Sequence, residues 1–179
     1  MKLRAAGAAL ASTLCVGASA CSFDMGFAGN PLALPHPRSL ELAVAVNDAA
    51  RAGRIDLDAT GPQLDGEAGL QRAGWRLRQL GRSLGGFDGS DAPIALVLVD
   101  VSLWARLTPG PLGAQLHLHV AGPAPGDVVA VSSEAVVAQL VAGRLSGEDA
   151  LRQGLLLLEG DPAEVQRIAA RIAGIGASR

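Results

Sequence analysis

The chain has 179 residues, with fifteen basic and seventeen acidic side chains, a formal net charge of −2 and 49% hydrophobic residues. That length supports one domain with a substantial core, and the charge argues against a binder of nucleic acid. Two cysteines and no tyrosine leave little for thiol or phenol chemistry.

Lys2 and Arg4 precede an unbroken run of small and apolar residues from Ala5 to Ala20. The run is short for a membrane span and has the form of a secretory h-region, so residues 1–20 are expected to be a signal peptide. Ala18-Ser19-Ala20 satisfies the small-x-small rule for cleavage and leaves Cys21 next in line. This junction resembles a bacterial lipoprotein signal, with Ala18 where such signals carry Leu. The resemblance implies acylation of Cys21 and attachment to a membrane through its acyl chains, on the periplasmic side of the bacterial cell envelope. Ser22, a non-acidic residue after the cysteine, implies the outer membrane. Cys15 leaves with the signal, so the mature chain holds one cysteine and forms no internal disulfide. Without Lys2 and Arg4, thirteen basic side chains, all Arg, face seventeen acidic ones, a net charge near −4.

Residues 21–37 contain Pro31, Pro35 and Pro37 with no helical or strand period, which predicts a tether on which Phe23, Met25 and Phe27 alternate. A domain follows over 38–176. Leu42, Val46, Ala49 and Ala50 recur at helical spacing and predict a helix over Ser39 to Ala52, stopped by Gly53. A second helix is predicted from Glu67 to Leu84, with Leu70, Ala73, Leu77, Leu80 and Leu84 in one seam. Its other side carries Arg72, Arg76, Arg78 and Arg82 with no acid after Glu67, a basic face suited to phospholipid headgroups or an acidic partner. Trp75 lies between the two sides and is expected at the core edge.

Pro93 to Val101 is apolar at both parities, which predicts a strand covered on both faces. Ser102 to Thr108 either extends it or turns away. Gly113 to Val120 alternates, and Asp127 to Val131 makes a further strand; the short connections predict an antiparallel meander of these three runs. Ser132 or Ser133 caps the next helix, with Val136, Val137, Leu140 and Val141 on its buried side. Ser146 with Asp149 has the form of a capping box, and Asp161-Pro162 starts a last helix carrying Val165, Ile168, Ala169 and Ile172. Between these helices lies Leu155-Leu156-Leu157-Leu158, a strand apolar at both parities.

The order of these steps, Ser132-Ser133-Glu134, Gly143-Arg144-Leu145, Ala150, then Gly154 through Leu156 to Gly160, resembles the C-terminal half of the sterol carrier protein 2 (SCP2) lipid-binding domain. The resemblance implies an α/β (α+β) fold with a mainly antiparallel sheet and helices chiefly on one face. It also implies an apolar space between sheet and helices, walled by Val136, Leu140, Leu155, Leu157, Val165 and Ile168, for a lipid or isoprenoid. The alternative is that the two early helices fill this space.

His117 and His119, two apart on a predicted strand, would share one face about 7 Å apart. An H-x-H pair alone makes no metal site, and none is expected. The chain has no nucleophile elbow, phosphate-binding loop or dinucleotide fingerprint, so neither an enzyme nor a cofactor is expected. Two functions stand: an envelope lipoprotein that binds or carries a lipid or isoprenoid, and a non-enzymatic accessory lipoprotein that docks an envelope protein through the Arg72 to Arg82 face.

Overall fold

The computed structural model describes residues 35–58, 66–85, 87, 89–110 and 113–176. The expected signal peptide, Cys21 and the Phe23, Met25 and Phe27 stretch lie outside them. In chain order the elements are α1 (Ser39–Arg51), α2 (Gly66–Ser83), β1 (Ile94–Leu98), β2 (Leu103–Thr108), β3 (Gln115–Leu118), β4 (Val128–Ser132), α3 (Glu134–Val141), α4 (Gly147–Arg152), β5 (Leu157–Glu159) and α5 (Pro162–Ala173). Among the described residues, no helix is long and apolar enough to cross a membrane.

The helix starts follow from short polar side chains that satisfy free backbone N–H groups. Ser133 Oγ accepts from Val136 N at 3.2 Å, and Ser146 Oγ accepts from Asp149 N at 3.1 Å while donating to Asp149 Oδ2 at 2.7 Å. Asp161 Oδ1 accepts from Ala163 N and Glu164 N at 2.9 and 3.2 Å, with Pro162 in the first turn. Three helices stop in the same way. Past α1, α3 and α4 stand Gly53, Gly143 and Gly154, with φ of 66, 67 and 67°. The amide after each glycine returns to a carbonyl of the last turn, Arg54 N to Ala49 O, Arg144 N to Gln139 O and Leu155 N to Ala150 O. The next residue, Ile55, Leu145 or Leu156, is then buried.

The five strands form one sheet in the order β3-β2-β1-β4-β5, antiparallel except for β1 with β4. The expected three-run meander is corrected in two places. Leu103–Thr108 is a strand of its own, and Val128–Ser132 pairs parallel to β1 on the side away from β3. The physical reason is the parity of reversals: with β2 counted, β3 runs in the same direction as β1. The chain therefore leaves β3 at the end where β1 finishes, and residues 119–127 carry it back to the start of β1, where Val128 lies opposite Ile94 and the parallel pair begins. The Leu155 to Leu158 run is strand only from Leu157, because Leu155 and Leu156 complete the stop of α4.

Register decides which residues share a face. Leu107, Ala105, Leu96, Ala130 and Leu158 lie with Leu118 on one face, and Trp104, Val97, Val131 and Leu157 on the other. Helix α2 covers the first: a Cβ built at Gly74 would meet Leu118, and one at Gly81 would meet Leu107. Helix α3 packs along α2, and Arg171 of α5 donates to the Gly85 carbonyl just beyond α2. Helix α1 takes the second face, where His36 lies edge-on to Trp104 with centroids 6.2 Å apart and Arg38 reaches Glu159. With both faces covered, every residue of β1 is buried. Most of the helices thus lie on one face of a mainly antiparallel sheet.

Candidate functional site

The layer between the sheet and helices α2, α3 and α5 is the first candidate. Val136 and Leu140 come from α3, Leu155 from the stop of α4 and Ile168 from α5, and none is more than 1% exposed. Ser132 Oγ donates to the Leu155 carbonyl at 3.0 Å and fixes this turn to the end of β4. Val165, in the first turn of α5, and Leu158 stay half-buried and form the rim of the layer at the β5 edge. Leu157, expected in the same wall, points to the opposite face and packs beneath α1, in the row of Val131. Period two puts neighbours in a strand on opposite sides, so the wall position belongs to Leu158.

Both early helices reach the core. Leu42, Val46 and Ala49 of α1 and Ala73, Leu77 and Leu80 of α2 belong to one apolar cluster with Val136, Leu140, Leu155 and Ile168. The alternative of a filled interlayer therefore describes the structure: these wall residues are covered by protein side chains. A ligand lying among them has to part the layer, and the rim at Leu158 and Val165 is its least covered edge.

The second candidate, the face of four arginines, divides in two. Glu134, the first residue of α3, is 4% exposed; its Oε1 accepts from Arg72 Nε at 2.7 Å and Arg76 Nη1 at 2.6 Å, and its Oε2 from Arg72 Nη2 at 2.9 Å. Arg76 is buried, and Arg72 is half-buried. Burial lowers the pKa of the Arg76 guanidinium, whereas the hydrogen bond to Glu134 raises that of Arg72. These two arginines therefore join α2 to α3 and present no headgroup surface. Arg78 and Arg82 remain exposed, and so does Trp75, which is 55% exposed rather than at the core edge.

Asp100 completes the buried cluster. It sits in the β1–β2 turn, where Ser102 takes a left-handed φ of 49°, and both carboxylate oxygens lie 2.9 Å from the Glu134 backbone N–H. Burial, reinforced by the neighbouring Glu134 charge, pushes its carboxyl up to about 6 against the helix-end hydrogen bonds that lower it. Two carboxylates and two guanidiniums thus neutralise one another where the hairpin, α2 and α3 meet. The shifted carboxyl has a structural cause in this arrangement, the capping of α3 from another element.

Two further ion pairs tie the sheet to its surroundings. Asp127, with a fully buried side chain, takes Arg106 Nη2 at 2.7 Å, and Asp91 takes Arg171 Nη2 at 2.8 Å. The histidine pair does not form a ligand set: His119 has a φ of 58° and falls outside β3, so it loses the strand alternation that would align it with His117. His117 Nε2 lies 3.4 Å from Thr108 Oγ1. His36, counted with the tether, is packed against the domain, and its side chain is 11% exposed.

No protein-family model matches the chain, and no curated protein matches it. Among solved structures it is similar to the stereoselective inverting sec-alkylsulfatase Pisa1 from Pseudomonas sp., at 20% identity and a TM-score of 0.39, over 60% of this chain and 16% of the other. The chain thus spans about a sixth of the sulfatase's length. It is also similar to the conserved hypothetical protein TT1886 from Thermus thermophilus, described as possibly a sterol carrier protein, at 20% identity and a TM-score of 0.38, over 65% of this chain and 89% of the other. A third likeness is to UbiJ-SCP2, a ubiquinone synthesis protein, at 20% identity and a TM-score of 0.34, over 60% of this chain and 84% of that one.

Proposed function

We propose that the chain is a non-enzymatic cell-envelope lipoprotein, tethered by acylated Cys21, whose SCP2-like domain takes up the apolar part of a lipid or isoprenoid between its sheet and the α2, α3 and α5 layer. The observation that carries this reading is the convergence of Val136, Leu140, Leu155 and Ile168, from three separate elements, on one layer with a half-buried apolar rim at Leu158 and Val165. Burying an aliphatic side chain contributes about 1.5–3 kcal/mol, so an acyl chain that replaces one set of apolar contacts with another opens the layer at modest net cost. The accessory reading is weakened, because Arg72 and Arg76 are engaged by Glu134 and are withdrawn from any docking face.

Native mass spectrometry of the chain from Ser22 onward, followed by organic extraction, tests the carrier function. The expected result is a lipid or isoprenoid bound at one per chain, lost in Leu158→Arg or Val165→Arg and retained in Leu157→Met, whose side chain faces away from the layer. A chain that purifies bare and takes up nothing from an added envelope lipid extract would overturn the proposal.

A further inference from the structure

Helix α2 divides its arginines between two tasks, and the second has no counterpart among the described residues. Arg72 and Arg76 turn inward to Glu134. Three or four residues apart along the outer side stand Gln71, Trp75, Arg78 and Arg82, all exposed. In helical projection they fall within one narrow stripe, and at 1.5 Å per residue Trp75 and Arg82 are about 10 Å apart along the axis. Neither Arg78 nor Arg82 has an ion-pair partner among the described residues. Arg38, Arg72, Arg76, Arg106, Arg152, Arg167 and Arg171 are paired with acids, whereas Arg51, Arg54 and Arg144 are exposed without a pair among the described residues but have no tryptophan beside them.

We propose that the Trp75, Arg78 and Arg82 stripe is a membrane-facing contact that lies against anionic phospholipid headgroups and orients the tethered domain. Three properties select a lipid surface as the occupant. The indole is apolar in its rings and polar at its N–H, which suits the headgroup level of a bilayer. Two exposed guanidiniums beside it, with no acid paired to them among the described residues, complement lipid phosphates, each contributing about 1 kcal/mol near an anionic surface. The chain as a whole is acidic, with a net charge of −2, so attraction to an anionic surface has to come from a local patch. A patch this small binds weakly alone. On a tethered domain it acts at an effective concentration in the millimolar range, where weak contacts suffice to set orientation. The inference rests on the tether in the proposed function and is independent of the apolar layer.

The test uses the full chain with Trp104→Phe, which leaves Trp75 as the single fluorescent reporter. It is reconstituted with vesicles of phosphatidylcholine, or of phosphatidylcholine mixed with phosphatidylglycerol, and quenched with acrylamide. The expected result is an emission blue shift and a quenching constant about twofold lower on the anionic vesicles only, reversed by roughly 0.5 M salt. Arg78→Glu with Arg82→Glu should abolish the protection while the chain still floats with the vesicles. Equal quenching on both vesicle types, with the chain bound, would refute the stripe and leave the tether standing. A chain that stays with neither vesicle overturns stripe and tether together. Protection that appears without anionic lipid, on adding a lipid-free envelope protein extract, assigns the stripe to an acidic protein and overturns the lipid contact.

Discussion

Replacing Glu134 by Gln tests whether the α2–α3 junction is a buried ionic contact or a surface pair. The substitution keeps the shape of the side chain and removes its charge. Two guanidiniums at 2.7 and 2.6 Å then face a neutral amide whose NH2 cannot accept from either. Breaking a buried ion pair on one side costs about 3–5 kcal/mol, because the remaining charge stays desolvated. Here the lower end applies. The Arg72 side chain is 19% exposed and can turn to water, and loss of the Glu134 charge lets Asp100 ionise more readily beside Arg76. The expected loss is about 3 kcal/mol, a large share of the 5–15 kcal/mol typical of a domain. In urea at neutral pH, with m near 1–3 kcal/mol/M, the midpoint should fall by about 1–3 M. The double variant Glu134→Gln with Arg76→Met should regain most of that loss, since an apolar side chain in the same space removes the unpaired charge. A single-variant loss under about 1 kcal/mol would refute the buried contact and return Arg72 and Arg76 to a solvated face.

Asp100→Asn isolates the shifted carboxyl. A folded-state value near 6, above the ordinary 3.8, means the favourable contribution is complete below pH 3.8 and is lost as pH rises through 6. The Asn variant, which still accepts from the Glu134 N–H, should therefore gain on the parent by up to about 3 kcal/mol between pH 4 and pH 8, and a gap that stays flat across that range contradicts the assignment. Gly147→Ala should lower the thermal midpoint severely, by the equivalent of about 3 kcal/mol, because the new Cβ would stand 1.7 Å from the Ile172 carbonyl oxygen. Gly74→Ala is the contrast: its Cβ would meet only the tip of Leu118 at 2.7 Å, so a helix-propensity gain of up to about 1 kcal/mol offsets the adjustment, and equal losses in the two variants would count against this geometry. Metabolic labelling with an alkyne fatty acid should mark the chain in a bacterial host and be lost in Cys21→Ala; an unlabelled parent removes the tether.

Helix boundaries were legible because their causes are local. Ser133, Ser146 and Asp161 sit within three residues of the amides they satisfy, and Gly53, Gly143 and Gly154 take the left-handed conformation that ends a helix. The same locality limits what the glycine steps say about function. Gly143-Arg144-Leu145 and Gly154-Leu155-Leu156 resemble SCP2 steps, yet Gly53-Arg54-Ile55 makes the same turn outside that unit, so the step is a helix stop that buries the next apolar residue. The β1–β2 reversal was concealed for the opposite reason. Its turn over residues 99–102 carries no glycine or proline, and a serine occupies the left-handed position that normally signals it. The partner of Arg72 and Arg76 was also out of reach, since Glu134 lies about sixty residues further along the chain.

The register of the last strand shows how a long-range contact decides the candidate site. A run of four leucines has no alternation, so period two cannot say whether Leu157 or Leu158 faces the layer of α3 and α5. The tie is broken by the residue that follows. Glu159 lies opposite Val129, on the face where α1 brings Arg38 within 3.5 Å and His36 within 3.8 Å of its carboxylate. With Glu159 on that side, Leu158 must face the other, and Leu157 must return beneath α1. A slip of one residue would put Glu159 at the apolar rim, take it away from Arg38 and turn Leu158 beneath α1. The register that pairs Glu159 with Arg38 is thus also the one that places Leu158 at the rim, where an apolar ligand would first meet the domain.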